Sequence, residues 1–398
     1  MDEGSHRWRI LVLLSFAELF GMSLWLTASA VSEQLAAGWN LTNDQVSSLT
    51  TAVQMGFVVG TAFAALFNLA DIISSRFYFA VCALLASAAN AGILAVDSYM
   101  AALSCRFLVG LFLAGVYPPA MKMIATWYRS SRGFAIGTIV GALTCGKAMP
   151  YLLSAVAPDD HVGVIVSSSI AAAFAGLLVL AFYRDGPHAF PSRKFRLALI
   201  VNVIRHRPTR LAVAGYLGHM WELYAMWVWI PKFIMASFLI SGGTVRAASL
   251  AAFLAIATGA VGCLWGGWVA DRIGREKLVN LCMLVSGICS IGIGFSFGGP
   301  PWIVAIMAAV WGFFVVADSA QFSTMVTEVS APENVGTALT LQTSLGFLLT
   351  MVTIEGVDVL RSYVGWKWAF AGLAIGPFLG IAAISKLRGE RPTEENAS

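Results

Sequence analysis

Four cationic side chains, Arg106, Lys122, Lys147 and Lys232, lie inside long apolar runs of this 398-residue chain, as do Glu18, His219, Glu222 and Asp318. A charge at the centre of a membrane-spanning helix costs about 2.5–3.5 kcal/mol on insertion scales, so such residues normally face a wet cavity and have a partner there. Two chemistries follow from their types. Glu18, Glu222 and Asp318 can take up and release protons, and are the candidate proton-coupling groups. Lys147 stands near the middle of its run, too deep for easy snorkelling, and would attract an anion or pair with Glu18 or Asp318 when the site is empty. Arg106, whose guanidinium can hold a carboxylate at two points, and Lys122, which can snorkel, are further candidate anion ligands. For each of these residues a purely structural, hydrogen-bonded role is the competing reading.

Spacing adds detail. His219 and Glu222 are three residues apart, share a helix face and can pair, relay a proton or accept a donor on a substrate. Asp318 and Gln321 repeat that spacing, and Gln342 follows on the next run. Tyr117, Trp221 and Tyr224 are the aromatics expected near a cavity. Met220 and Met226 beside His219 admit a copper reading, since thioether and imidazole suit Cu(I), although the two methionines point to different faces of an ideal helix. The six cysteines all sit in apolar runs without C-x-x-C spacing, which suggests neither a zinc site nor a disulfide framework. No H-E-x-x-H, nucleophile-base or G-x-x-x-x-G-K-[ST] pattern occurs, so we expect no enzyme, no catalytic residue, no metal, no cofactor and no use of ATP.

The elements that position these groups must be lipid-spanning helices. Hydrophobic residues make up 58% of the chain and charged residues 12%, about half the share in a soluble domain. That balance excludes a nucleic-acid binder, a secreted disulfide scaffold and a disordered regulator. A bilayer core needs about 20 apolar residues per helix, and such runs fall near 9–32, 45–70, 77–96, 98–127, 133–157 and 162–183, then near 211–239, 246–270, 278–297, 301–327, 334–357 and 366–386. We therefore expect an all-α membrane protein with twelve transmembrane helices in two pseudo-symmetric six-helix bundles: residues 1–183, a basic cytoplasmic linker at 184–210, and residues 211–398 with a short cytoplasmic tail. The first run lacks a small-residue cleavage site and reads as a retained helix. Eighteen Lys and Arg residues fall at the N-terminus, in even-numbered loops and in the C-tail, against three in odd-numbered loops. The positive-inside rule then places both termini in the cytoplasm of a cell with this chain in its inner membrane.

The halves echo each other: Ala70-Asp71 closes the second run and Ala270-Asp271 the eighth. A six-plus-six duplication is the repeat plan of many secondary transporters. The stretch Gly267-Trp-Val-Ala-Asp271-Arg272-Ile-Gly274-Arg275-Glu-Lys277 resembles the loop signature of the major facilitator superfamily, and Arg106 through Gly110, Gly115 and Pro118-Pro119 is similar to that superfamily's fourth-helix signature. The resemblance implies that the first, fourth, seventh and tenth helices line a cavity, and that Asp271, Arg272 and Arg275 latch a gate. In the first half Asp71 and Arg76 are the counterparts, but Phe67, Ile72, Ser74 and Ser75 depart from the pattern, so an asymmetric latch is expected. The fifth run has Gly137, Gly141 and Gly146 but no Gly-Pro pair of the drug-antiporter kind. The reading is a monomeric secondary transporter working by alternating access. Its substrate is a small organic anion of carboxylate type, moved with protons or against a counter-substrate. Two alternatives stay open: proton-driven efflux of amphipathic drugs or cations, and copper or other metal-ion uptake.

Overall fold

The computed structural model describes residues 3–67, 69–128, 132–188 and 197–390. Helix α1 covers Glu3–Met22. Eleven further helices are long and apolar enough to cross a membrane: α2 (Gln45–Leu66), α3 (Ser75–Ala95), α4 (Tyr99–Ala125), α5 (Gly133–Val156), α6 (His161–Phe182), α7 (Arg207–Ile240), α8 (Val245–Ile273), α9 (Arg275–Ser296), α10 (Pro301–Val329), α11 (Val335–Val364) and α12 (Ala371–Gly389). No strand occurs among the described residues. Twelve helices in series, joined by short connections except at residues 23–44 and 183–206, alternate in direction, so the first and last helices begin and end on one face, here the terminal side, opposite the far side.

The first apolar run does not form one helix over 9–32. After Met22 the chain turns, and only short helices follow at Thr27–Ala30 and Ser32–Trp39. Two other helices are interrupted in mid-membrane. Helix α4 consists of Tyr99–Leu113 and Tyr117–Ala125, and α10 of Pro301–Ala317 and Ser319–Val329 with Asp318 between them. Each interruption removes backbone hydrogen bonds, and in lipid an unsatisfied backbone group costs several kcal/mol. Irregular backbone is tolerated there only where protein or a wet cavity covers it.

Arg106 covers the first break. Its side chain is 0% exposed. One terminal nitrogen donates to Leu24 O at 3.1 Å and to Asn90 Oδ1 at 3.0 Å, the other to Trp25 O at 2.6 Å, and Nε to Leu49 O at 3.4 Å. Asn90 in turn donates to Ser169 Oγ at 3.0 Å. A single guanidinium on α4 thus joins the segment after α1, the start of α2 and the last third of α3, with α6 added through Asn90. The fork is engaged inside the first six helices and does not reach the central cavity, which corrects the expectation that Arg106 binds substrate.

Helices α1–α6 pack among themselves, as do α7–α12, and the two sets meet where α5 lies on α8 and α2 lies on α11. Those two contacts exchange under the pseudo-twofold that maps α2 on α8 and α5 on α11. Small residues set the α5–α8 approach: a Cβ at Gly141 would stand 3.0 Å from Ala260 O. Such close backbone contact is how helices associate in lipid, where no hydrophobic gain drives them together.

Replacing Arg106 with Met removes four hydrogen bonds, strands the Trp25 carbonyl and leaves Leu24 O only the long 3.5 Å bond from Thr27 N. At about 0.6–1 kcal/mol per bond the variant should lose about 2–4 kcal/mol of stability. Arg106→Lys should recover little of it, because an ammonium cannot span the four acceptors. Unfolding of the purified protein in detergent, with the exposed Arg246→Met as reference, measures this; equal stability of Arg106→Met and reference would refute the account.

Candidate functional site

A cavity of about 100 Å3 lies between the halves, lined from α1, α2, α4, α5, α7, α10 and α11. Of the residues singled out from sequence, Lys147, Tyr117, His219 and Tyr224 line it. Met22 and Trp25, which continue the face of Glu18, line it as well.

Lys147 projects from α5 and is 1% exposed. Its ammonium donates to Tyr224 Oη at 2.6 Å. It also stands over three rings, 3.9 Å from the centroid of Trp25, 4.5 Å from Tyr224 and 4.6 Å from Trp227. Desolvated cation–π contacts are worth about 2 kcal/mol, so the cage replaces part of the lost hydration. Among the described residues no carboxylate stands within ion-pair distance of Lys147. The expected direct pairing with Glu18 or Asp318 is therefore not made in this state.

Glu18, on α1, is 0% exposed, and neither carboxyl oxygen has a hydrogen-bond partner. It remains close enough to Lys147 and Tyr117 to interact electrostatically with both. A buried acid without a donor thus neighbours a buried cation without an anion.

At the other end of the cavity His219 Nδ1 lies 2.9 Å from Asp318 Oδ1, close as an ion pair but not aligned as a hydrogen bond. His219 Nε2 shares a hydrogen bond of 3.0 Å with Ser319 Oγ. The spacing that suggested a His219–Glu222 pair misleads about the partner. Glu222 turns into the second bundle, where its oxygens accept from Ser286 Oγ at 2.8 Å and from Trp311 Nε1 at 2.7 Å. It does not line the cavity.

Four other candidates also stand back from it. Trp221 donates to Gly372 O at 3.1 Å, Gln321 is buried on α10, and Lys122 is in the last turn of the Tyr117–Ala125 segment. The Gln342 amide donates to Ser323 Oγ at 3.4 Å, and Ser323 lines the cavity. Among the described residues no three His, Cys, Asp or Glu side chains come together as a metal site.

Sequence reasoning passed over the aromatic roof. Trp25, Phe57, Tyr224 and Phe347 form one cluster, with Phe57 and Phe347 4.6 Å apart and Trp25 and Tyr224 5.6 Å apart. The four rings come from α1, α2, α7 and α11, so the cluster spans the seam. Tyr224 was expected near the cavity, and Trp25 continues the face of Glu18, but nothing in the sequence signalled Phe57 or Phe347.

On the terminal side Asp271 Oδ1 lies 3.6 Å from Arg275, whose Nε donates to Glu328 Oε1 at 3.0 Å. Gly274, with φ +89°, makes the turn between α8 and α9. Arg272 lies 3.4 Å over the Trp268 ring. In the first half Arg76 donates to Tyr183 O at 3.5 Å, and the Asp71 side chain lies outside the described residues. The charged chain of the second half thus has no described equivalent in the first.

Comparisons with known proteins agree with this architecture. The Major Facilitator Superfamily description matches residues 12–354. The hexuronate transporter of Escherichia coli (strain K12) is 21% identical over 425 residues, covering 98% of this chain and 96% of that protein. The low affinity inorganic phosphate transporter 1 of Petunia hybrida is 24% identical over 163 residues, covering 38% of this chain and 28% of its own length. Among solved structures, the nucleoside transporter NupG superposes with a TM-score of 0.70 at 13% identity, over 95% of this chain and 99% of that one, a likeness of fold. With the family match extending from α1 into α11 and all twelve helices in place, the chain is a multi-pass membrane transporter of the Major Facilitator Superfamily, not an enzyme.

Proposed function

We propose that this transporter moves a small organic anion of carboxylate type by alternating access, coupled to protons or to a counter-flowing solute. The observation that carries the reading is Lys147: a fully buried ammonium that faces the cavity with a hydroxyl and three rings around it and, among the described residues, no carboxylate at ion-pair distance. A carboxylate entering the cavity supplies the missing counter-charge. Ser319, Ser323 and Thr343 line the same cavity, and they favour an acid that also bears hydroxyls. The hexuronate relative is in keeping with that class.

The cavity of about 100 Å3 has room for a few waters, so an organic acid enters only when the halves part. Binding neutralises Lys147 and removes an electrostatic penalty on bringing the halves together around the load, which shifts the population toward the occluded state. Glu18 is the proton site of this scheme. Its orphaned oxygens suit a carboxyl that holds its proton when the site is closed and exchanges it when water reaches the site. The cage counts against a cationic load, because Lys147 already fills the place where a cation would stack.

In proteoliposomes, uptake from a panel of carboxylates should exceed uptake from a panel of cationic dyes. Lys147→Ala should lower carboxylate uptake by about tenfold or more, the worth of one charge-assisted hydrogen bond. Undiminished carboxylate uptake by Lys147→Ala would overturn the reading. Anions of the right class should also raise the melting temperature of the wild type and leave that of Lys147→Ala unchanged.

Glu18→Gln mimics the protonated acid. It should keep exchange of labelled for unlabelled substrate while losing accumulation driven by a pH gradient. Accumulation at the wild-type level would remove Glu18 from the coupling scheme.

A further inference from the structure

The charge that the central cavity can offer is countable. Of its lining residues only Lys147 and His219 can carry a positive charge, and no carboxylate lines it. His219 Nδ1 already faces Asp318 Oδ1 at 2.9 Å, so a proton on that imidazole is matched where it stands. Two other buried ionisable groups are spent elsewhere. Arg106 gives its fork to three carbonyls and to Asn90, and Glu222 accepts from Ser286 and Trp311. That leaves Lys147 together with Glu18, which acts on it electrostatically from α1. With Glu18 protonated the two carry one positive charge; with Glu18 ionised they carry none. The cavity therefore has at most one unmatched positive charge.

Hydrogen positions add a second constraint. Lys147 Nζ donates to Tyr224 Oη at 2.6 Å, so the hydroxyl oxygen is the acceptor in that contact. The hydrogen of the hydroxyl must point away from the ammonium, and among the described residues it has no acceptor. An unmatched cation and an unused donor thus stand side by side, both buried and both on the cavity wall. The ammonium comes from α5 in the first half and the hydroxyl from α7 in the second.

We propose that the cavity selects anions of a single negative charge, and that the Tyr224 hydroxyl donates to the carboxylate that Lys147 neutralises. The two donors are spaced so that one carboxylate can take a hydrogen on each oxygen. Because they belong to different halves, the clamp is complete only when the halves meet. A dicarboxylate brings a second charge that nothing in the cavity matches, and a buried charge without a partner is strongly destabilising. The inference rests on the anion reading of the cavity and narrows it by charge.

Isothermal titration of the purified full chain at neutral pH, with two matched pairs of acids, reads the charge limit. Gluconate is set against glucarate, and butyrate against succinate; within each pair the carbon count is the same and one carboxylate is added. At least one monoanion should bind, and its dianion should bind about tenfold or more weaker. Tyr224→Phe keeps the ring beside the ammonium and removes the donor. It should weaken monoanion binding by about tenfold and leave the preference over the dianion in place. Were the hydroxyl there only to accept from Lys147, its loss would leave the ammonium less satisfied and the anion bound as tightly or tighter. Equal binding within a pair would overturn the charge limit while the anion reading stands, whereas binding of no carboxylate would overturn both. Unchanged or tighter binding by Tyr224→Phe would remove the hydroxyl from the clamp. Gel filtration establishes that the variant is folded, and the comparison of acids on the wild type needs no variant.

Discussion

Withdrawing an ammonium from water into protein surrounded by lipid costs several kcal/mol even after the surroundings relax. Lys147 is held in that condition at the centre of the molecule, and the arrangement around it follows from the need to offset the cost. Helix α1 ends at Met22, and the turn that follows brings the Trp25 ring against the ammonium. Helix α7 contributes the Tyr224 hydroxyl and the Trp227 ring from the other half. The compensation is thus assembled from both halves, and neither bundle alone offers it. Neutral dipoles and ring faces offset part of the cost and leave the charge itself unmatched.

That assembly depends on irregular backbone, which lipid does not permit unless something satisfies it. Arg106 does so at the first break, using three backbone carbonyls and one amide oxygen as acceptors. Its own charge is spread over a planar group that hydrates weakly, which makes arginine better suited than lysine to a site with no water. Two deeply buried cations therefore serve opposite ends. The guanidinium is saturated and fixes the scaffold, whereas the ammonium keeps capacity for a visitor.

Much of this was legible in the sequence. Twelve apolar runs gave the helices because lipid imposes a length, and Gly274 with Asp271 and Arg275 gave the charged turn because that geometry is local. Lys147 stood out because a lysine so deep in an apolar run cannot easily snorkel to water. Partner choice was less legible. The i, i+3 spacing put His219 and Glu222 on one side of α7, yet Ser286 and Trp311 claim Glu222 while Asp318 faces His219, and no local rule knows what α9 and α10 present. The break after Met22 falls in Ser23-Leu-Trp-Leu26, which contains no helix breaker; what satisfies it is a side chain more than eighty residues away. In α4, Gly115 falls in the interruption and Pro118 and Pro119 follow it, but the sequence reads there as one unbroken run over 98–127. Phe57 and Phe347 carried no signal, since an aromatic residue in a membrane chain is ordinarily packing.

Lys147 sits on α5, the helix whose small residues run against α8 along the seam. It is about 21 Å along a helix of about 36 Å, in the middle third of that helix and beside the seam between the halves. Under the proposed alternating access a charge so placed would travel little along the membrane normal, and paired with the proposed anion it would form a neutral unit. The transmembrane voltage, worth about 2.3 kcal/mol per charge per 100 mV, then does little work on the rocking step. It would act instead on the proposed anion before it pairs, so under that reading the electrical sensitivity of the cycle belongs to loading and unloading.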